Sequence, residues 1–315
     1  MRALNVPAAG QQPEVSELPT PEVTDGTVLI KVKAAGLNAI DNGIAAGMMA
    51  GVMPTEYPIV IGRDAAGIVE AVGAGVDHVR VGDEVFGHVL LAPPIQAGTL
   101  AEYALLPAAA VVAKPAELDF VTAAAIPLAG ATAAAAVDAI DPEPGQVVLV
   151  NGASGGLGSY AVQLLAARGA TVVATGTTPD ADRLTGLGAT TIIDYTSGDL
   201  VELVLAIYPD GVDALIELVA YTPDASPLAA VRKGGKVSSS TNSADDQALA
   251  AAGLTGTNII GSPVREITAL LAEKAAAGAL KVDVNTVLTL NQATDGLATI
   301  AAGKARGKIV VKISD

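Results

Sequence analysis

The chain of 315 residues has no cysteine. Disulfides, a thiolate nucleophile and a cysteine-based zinc site are therefore excluded. Tryptophan is also absent, and the only histidines are His78 and His88. Each is isolated in the sequence and reads as an ordinary surface or packed histidine rather than a ligand. Cations are scarce: 18 Lys and Arg against 33 Asp and Glu give a net charge of −15. Such a surface repels phosphate backbones, and no basic cluster offsets it, so nucleic acid is not an expected partner. The acidity itself reads as a solvated surface. Long apolar runs are missing too. The uncharged window 120–137 is mostly alanine with Pro127 and Gly130, and the window 146–167 contains several glycines. Neither is expected to cross a membrane. Residues 1–17 lack the apolar core of a signal peptide, and the expected location is cytoplasmic.

With 51% hydrophobic and 16% charged residues, the chain is expected to be folded, and its length allows two cores. Its organising stretch is 146–158, QVVLVNGASGGLG. Residues 147–150 are an uncharged, β-branched run entered through Pro144-Gly145, which reads as a buried parallel strand. Ala153-Ser154-Gly155-Gly156-Leu157-Gly158 follows, and then a helical pattern from 157 to about 167. Strand, glycine turn and helix in this order form a dinucleotide-binding fingerprint. Gly155 lets backbone approach a pyrophosphate, Gly158 lets the helix pack on the strand, and the first amides of the helix bind an anion. Ala153 replaces the first glycine of the usual motif.

Before about residue 140 no such alternation appears. Val28, Ile30 and Val32 alternate with Leu29, Lys31 and Lys33, the period-two pattern of a half-buried strand. Further strands are expected at 65–72, 81–87 and 100–106, and a helix at 42–50 that Asp41 would cap. After the glycine loop, strands are expected at 171–174, 213–218, 236–239 and 257–260. Helices are expected at 119–137, from Thr178 onward, at 223–231, 265–277 and 291–302, and a closing strand at 308–313. The fold class is α/β, a β-rich domain followed by a doubly wound parallel sheet.

Several pieces then resemble the medium-chain dehydrogenase/reductase superfamily, in its zinc-free quinone oxidoreductase branch. They are Ala35-Gly36-Leu37-Asn38-Ala39-Ile40-Asp41, Tyr57-Pro58-Ile59-Val60-Ile61-Gly62-Arg63-Asp64-Ala65-Ala66-Gly67, Val81-Gly82-Asp83-Glu84-Val85, the glycine loop, Ile192-Ile193-Asp194-Tyr195 and Gly307-Lys308-Ile309-Val310-Val311. The resemblance covers nearly the whole chain and implies a GroES-like catalytic domain at 1–122, completed by 262–315, and a Rossmann NADPH-binding domain at 123–261. Zinc-dependent relatives place a Cys ligand at the position of Asn38 and a His-Glu pair at Arg63-Asp64, so no metal is implied here. Without a Lewis acid to polarise an alcohol, reduction of an electrophilic acceptor is favoured.

The resemblance also implies site residues. Asn38 and Asp41 would lie beside the nicotinamide and substrate, Asn38 donating to a carbonyl oxygen as charge grows on it. A loop cap is the plainer role for Asn38, and a helix cap for Asp41. Gly43 stands where relatives often carry Tyr, which leaves the pocket shape open; Tyr57 and Tyr103 are further pocket candidates. Thr132 would touch the cofactor's phosphates, and Val219, Ser238 and Asn242 the nicotinamide. Cofactor choice is written about 20 residues past the glycine loop, where NAD enzymes carry an acid on the ribose 2′-OH. Here Gly176-Thr177-Thr178 stands there. With no carboxylate to repel a 2′-phosphate, and with Arg183 and Tyr195 matching phosphate contacts, NADPH is expected over NADH. Asp180 and Asp182 add negative charge nearby.

The expected activity is hydride transfer from NADPH to a small-molecule quinone or α,β-unsaturated carbonyl, by a homodimer joined at the sheet edge near 257–260. An enoyl reductase acting on an acyl thioester or biosynthetic intermediate, and a non-catalytic NADPH-binding sensor, are the alternatives. The short-chain dehydrogenase reading of 151–158 fails because no Tyr has Lys four residues later.

Overall fold

The computed structural model describes residues 1–261 and 264–314. The expected return to the first domain at Ser262 lies outside the described residues. Two compact units form: residues 1–131 with those from 264 onward, and 132–261.

The first unit is built on two sheets. The short strand Arg2–Val6 sits between Glu14–Glu17 and Ile59–Val60. The larger sheet runs Val284–Thr289, Lys308–Lys312, Thr27–Gly36, Asp64–Val72, Glu84–His88 and Val111–Ala113, with Tyr103–Pro107 pairing to Thr27–Gly36. The period-two reading of Thr27–Gly36 holds on one face, where Val28, Ile30 and Val32 are fully buried, but Leu29 is buried as well. Val28, Ile30 and Val32, with Leu4, Ile59, Ile61, Leu100, Leu106, Ile309 and Val311, form one apolar core. The last strand, far along the chain, pairs antiparallel with Ala34–Gly36.

The second unit is a six-stranded, all-parallel sheet. Its strands in chain order are Val147–Asn151, Thr171–Gly176, Thr191–Asp194, Val212–Glu217, Val231–Ser239 and Thr255–Asn258. Across the sheet they run third, second, first, fourth, fifth, sixth. The order reverses beside Val147–Asn151, and in such sheets ligands bind at the carboxyl ends of the strands at this switch point. Val148, Leu149 and Val150 are fully buried, as a central parallel strand requires.

Several boundaries differ from the sequence reading. The stretch 119–137 is two helices, Phe120–Ala124 and Pro127–Ile140, because proline starts a helix well but cannot continue one. The helix after Leu37 is Ala39–Ala45 with Asn38 as its N-cap, so Asp41 lies inside its first turn and does not cap a 42–50 segment. Between Val212–Glu217 and the next strand there is no α-helix. Pro223 and Pro227 reduce 223–231 to two short 3₁₀ turns, Pro223–Ala225 and Leu228–Ala230. The strand expected at 236–239 begins earlier, as Val231–Ser239, with Gly234-Gly235 in a bulge: pairing with the neighbouring strand steps from Val231 to Lys236, and Gly234 has φ +79°. The segment expected to be helical from Thr178 onward opens as a 3₁₀ turn, Thr178–Asp180, capped by Thr177, and continues as the α-helix Ala181–Gly186.

Candidate functional site

In the second unit, Val147–Asn151 ends in Gly152, whose φ of +91° turns the chain sharply. Gly155 is the N-cap of the helix Gly156–Ala167 and gives it no side-chain cap. The amides of the first helical turn therefore have no partner within the helix and no capping side chain. A Cβ at Gly155 would meet only the Gly152 carbonyl, at 3.5 Å. At Gly158 it would lie 2.2 Å from that carbonyl oxygen and 2.6 Å from Ala153 Cα. Gly158 is thus required for the helix to seat on the loop, while Gly155 keeps the loop surface bare. Ala153 is fully buried and fills the place of the usual first glycine without reaching the open side. This bare helix start fits a pyrophosphate: the amides of Gly156, Leu157 and Gly158 would hold it, while Gly155, whose own amide donates to the Gly152 carbonyl at 3.2 Å, would let it approach.

The loop is fixed by two side chains, Thr175 and Glu217. The Thr175 hydroxyl accepts from Gly152 N at 2.8 Å. Buried Glu217 collects Asn151 Nδ2 at 2.9 and 3.0 Å, the amides of Val219 and Ala220 at 2.7 and 2.9 Å, and the Ser226 hydroxyl at 3.0 Å. One carboxylate therefore ties the end of the first strand to the end of the fourth.

At the second strand's end, Gly176 is buried, and a Cβ there would point at Leu184 Cδ1 (2.7 Å) and Asp180 Cβ (3.3 Å). Thr177 donates its hydroxyl to Asp180 at 2.7 Å. Thr178 gives both its amide and its hydroxyl to Asp194, at 2.9 and 2.8 Å. Hydrogen bonds from Thr196, then from Thr178, hold the Asp194 carboxyl down at about 2. Arg183 reaches back to the Ser154 carbonyl at 2.9 Å and pairs with Asp180 at 3.1 Å. It thus joins the glycine loop to the corner where cofactor choice is expected. Tyr195 is 47% exposed and Val219 53% exposed. Ser238 is fully buried and donates to the Ala136 carbonyl at 3.0 Å, which commits the hydroxyl inside the fold. Thr132 is buried in its helix. Asn242 is exposed, with φ +62°.

In the first unit, the residues at the zinc-ligand positions of relatives form a buried charge cluster. Asn38 Nδ2 donates to Asp64 Oδ2 at 2.8 Å, and Lys308 Nζ donates to Asn38 Oδ1 and to the Leu37 carbonyl, both at 2.7 Å. Asp64 Oδ1 accepts from His88 Nδ1 at 2.8 Å and Leu128 N at 3.1 Å. His88 is therefore a buried partner of Asp64 and not isolated; His78 is exposed. Asp41 Oδ2 accepts from Asn38 N at 2.8 Å, while its Oδ1 and Arg63 Nε are buried without a hydrogen-bond partner. Arg63 donates to the Val60 carbonyl at 3.4 Å and to that of Ala97. Burial pushes the Asp41 carboxyl up to about 7, against the opposing pull of Arg63. Burial also lowers Arg63 and Lys308 from their ordinary values, against Asp41 and Asp64. Two cations thus already face the two acids. Among the described residues, no group of three or more His, Asp or Glu side chains could hold a metal ion.

Tyr57 lines a cavity of about 500 Å³ with Ala9, Val52, Met53, Pro54 and Thr55. Tyr103 pairs with Lys31 in the sheet. Nothing local marks Lys308 or His88 as site residues: Lys308 meets Asn38 across 270 residues.

A β-rich unit of GroES-like type, together with an all-parallel nucleotide-type sheet, defines a two-domain dehydrogenase architecture. Residues 24–116 match the alcohol dehydrogenase GroES-like domain, and residues 187–311 match the zinc-binding dehydrogenase family. The chain is 31% identical to 2-methylene-furan-3-one reductase of Solanum lycopersicum over 303 residues, 94% of this chain and 74% of that protein. It is 31% identical to the chloroplastic quinone-oxidoreductase QR1 of Triphysaria versicolor, over 94% of this chain and 92% of that one. The structure of Escherichia coli quinone oxidoreductase complexed with NADPH superposes with a TM-score of 0.87 at 25% identity, covering 99% of this chain and 100% of that one. The chain belongs to the medium-chain dehydrogenase/reductase superfamily, in its quinone oxidoreductase branch.

Proposed function

We propose that this protein is an NADPH-dependent oxidoreductase that reduces a quinone or an α,β-unsaturated carbonyl. The observation that carries this reading is the bare helix start at Gly155–Gly158, clamped through Ser154 by Arg183. The names of the relatives, a quinone oxidoreductase and an enone reductase, support it, as does the NADPH complex of the similar E. coli structure.

Bound NADPH would supply a hydride from C4 of its nicotinamide. The amides of Gly156, Leu157 and Gly158 hold the pyrophosphate, which Gly155, its own amide bonded to the Gly152 carbonyl, lets approach by carrying no side chain, with Thr132 as a further phosphate contact. Arg183 and Tyr195 hold the 2′-phosphate beside Gly176, Thr177 and Thr178. Val219, Ser238 and Asn242 belong to the nicotinamide end, Ser238 by shaping the backbone since its hydroxyl is bonded internally. Asn38 donates to the acceptor oxygen as negative charge develops there. Asp41 supports Asn38 from within the helix turn, and Tyr57 borders the acceptor side. The proton comes from solvent.

In this reading, residues 1–122 with 262–315 form the catalytic domain and 123–261 the cofactor domain. The edge strand Thr255–Asn258 is exposed along its length, and Ile260 is 85% exposed. An uncovered edge of this kind is a pairing surface, and it supports a homodimer. The absence of cysteine supports a cytoplasmic setting. Among the described residues, no helix is long and apolar enough to cross a membrane. The test is NADPH oxidation followed by loss of its near-ultraviolet absorbance, with 1,4-benzoquinone and with a simple enone. Turnover of either supports the proposal, and cofactor binding without turnover on a broad acceptor panel contradicts it.

A further inference from the structure

The cluster around Asn38 has a property that its individual bonds do not. The two ends of the Asn38 amide face opposite charges. Its oxygen takes a hydrogen bond from the Lys308 ammonium at 2.7 Å, and its nitrogen gives one to the Asp64 carboxylate at 2.8 Å. An amide can ordinarily exchange these ends by a half-turn about its terminal torsion. Here the half-turn would bring Oδ1 against a carboxylate and the NH₂ group against an ammonium. Two charge-assisted bonds, each roughly twice as strong as a neutral one, would become two repulsions.

The partners are themselves fixed. Lys308 is also held by the Leu37 carbonyl at 2.7 Å, and Asp64 by His88 Nδ1 at 2.8 Å and Leu128 N at 3.1 Å. Lys308, Asp64 and His88 are buried, and Asn38 is only half-buried. Of the two Nδ2 hydrogens, one is taken by Asp64. The other has only the Gly36 carbonyl, 3.5 Å away, at the outer limit of a hydrogen bond.

We propose that Lys308 and Asp64 are positioning residues that lock the Asn38 amide in one orientation and so present its second N–H to the acceptor oxygen. This rests on the reading of Asn38 given above. The ammonium on Oδ1 also withdraws electron density from the amide and makes the remaining N–H a better donor. In this fold a lysine contributed by the last strand supplies, through one amide, part of the electrophilic pull that a metal ion gives elsewhere.

The test uses the full-length protein, with Lys308→Met, Lys308→Arg and the charge-neutral double variant Lys308→Met/Asp64→Asn. Two readouts are taken. The first is the pair of side-chain amide resonances of Asn38 in protein carrying ¹⁵N-asparagine, assigned by their loss in Asn38→Asp. The wild type is expected to give two well-separated proton resonances, and Lys308→Met to draw them together while Lys308→Arg restores the separation. The second is steady-state kinetics with 1,4-benzoquinone. Removing a whole oxyanion donor costs about 100- to 1,000-fold in kcat, so loosening one is expected to cost about 10- to 100-fold, with KM and the NADPH Kd within about threefold. Lys308→Arg is expected to recover most of that loss.

Unchanged Asn38 resonances and an unchanged kcat in Lys308→Met overturn the proposal. If Lys308→Met does not fold, the double variant decides: wild-type resonances and turnover there overturn it, and collapse of both supports it. Wild-type protein that reduces no acceptor defeats the functional reading and the acceptor half of this inference together. The amide resonances still decide the lock by themselves.

Discussion

The two candidate regions solve opposite problems. The glycine corner of the second unit keeps backbone amides bare, so that an anion can reach them. The cluster of the first unit buries charged side chains and satisfies most of them with one another. The first is made of neighbours in sequence, within residues 152–158. The second joins Asn38, the adjacent pair Arg63 and Asp64, His88 and Lys308, which are far apart in the chain. Motif-built sites therefore depend on a backbone path, and contact-built sites depend on charge balance. Substitutions should separate the two cleanly.

The largest effect is expected from Asp64→Ala, which leaves His88 and the Asn38 amide without their shared partner and the Lys308 ammonium, 3.9 Å away, without its counter-charge. Removing one partner of a buried ion pair costs about 3–5 kcal/mol. Urea unfolding should register a loss of this size, and a loss below about 1 kcal/mol would mean that the cluster is not internally balanced.

Asp41 tests the same balance through pH. Its folded-state value of about 7 stands above the unfolded value of 3.8. Between those values the folded chain holds the proton that the unfolded chain has released. The contribution of Asp41 to stability is therefore greatest at acid pH, falls as pH rises from about 4 toward 7, and levels off above. The steepest slope is about 1.4 kcal/mol per pH unit. Asp41→Asn should flatten this fall in melts run at pH 5, 6, 7 and 8. An unchanged slope in the variant would assign the pH dependence to another group.

In the glycine corner the expected losses are smaller in stability and larger in binding. Gly158→Ala places a Cβ 2.2 Å from the Gly152 carbonyl, where backbone must shift. Overpacking of this kind costs about 1–3 kcal/mol, and nucleotide affinity should fall with it. A variant that melts and binds like the wild type would show that the helix seats differently. Arg183→Ala should weaken NADPH about 10- to 100-fold by isothermal titration while leaving NADH within about threefold. Equal losses for both nucleotides would mean that Arg183 serves the loop through Ser154 and not the 2′-phosphate. Asp180 pairs with Arg183, and Asp194 holds the neighbouring Thr178, so this corner carries its own negative charge.

How far each region can be read from sequence follows from the same contrast. The strand, glycine loop and helix at 147–167 are legible because their period and glycine spacing are local. The exchange of metal ligands for Asn38, Arg63 and Asp64 is legible through resemblance. What those residues do instead is not, because Lys308 reads only as a charged residue in a closing strand until the fold brings it to Asn38. The 3₁₀ turns at Pro223 and Pro227 show the same limit on a smaller scale: an apolar stretch suggests a helix, and two prolines decide otherwise. Glu217 is a further case. Its five hydrogen bonds come from four residues spread between Asn151 and Ser226.

The most direct test of the central claim is a fluorescence titration with NADPH and with NADH, followed in the same cuvette by 1,4-benzoquinone and then a simple enone. NADPH is expected to bind more tightly than NADH, and adding acceptor to abolish the reduced-nicotinamide signal. Failure of both nucleotides to bind would contradict the central claim, because the bare helix start at Gly155–Gly158 would then hold no dinucleotide.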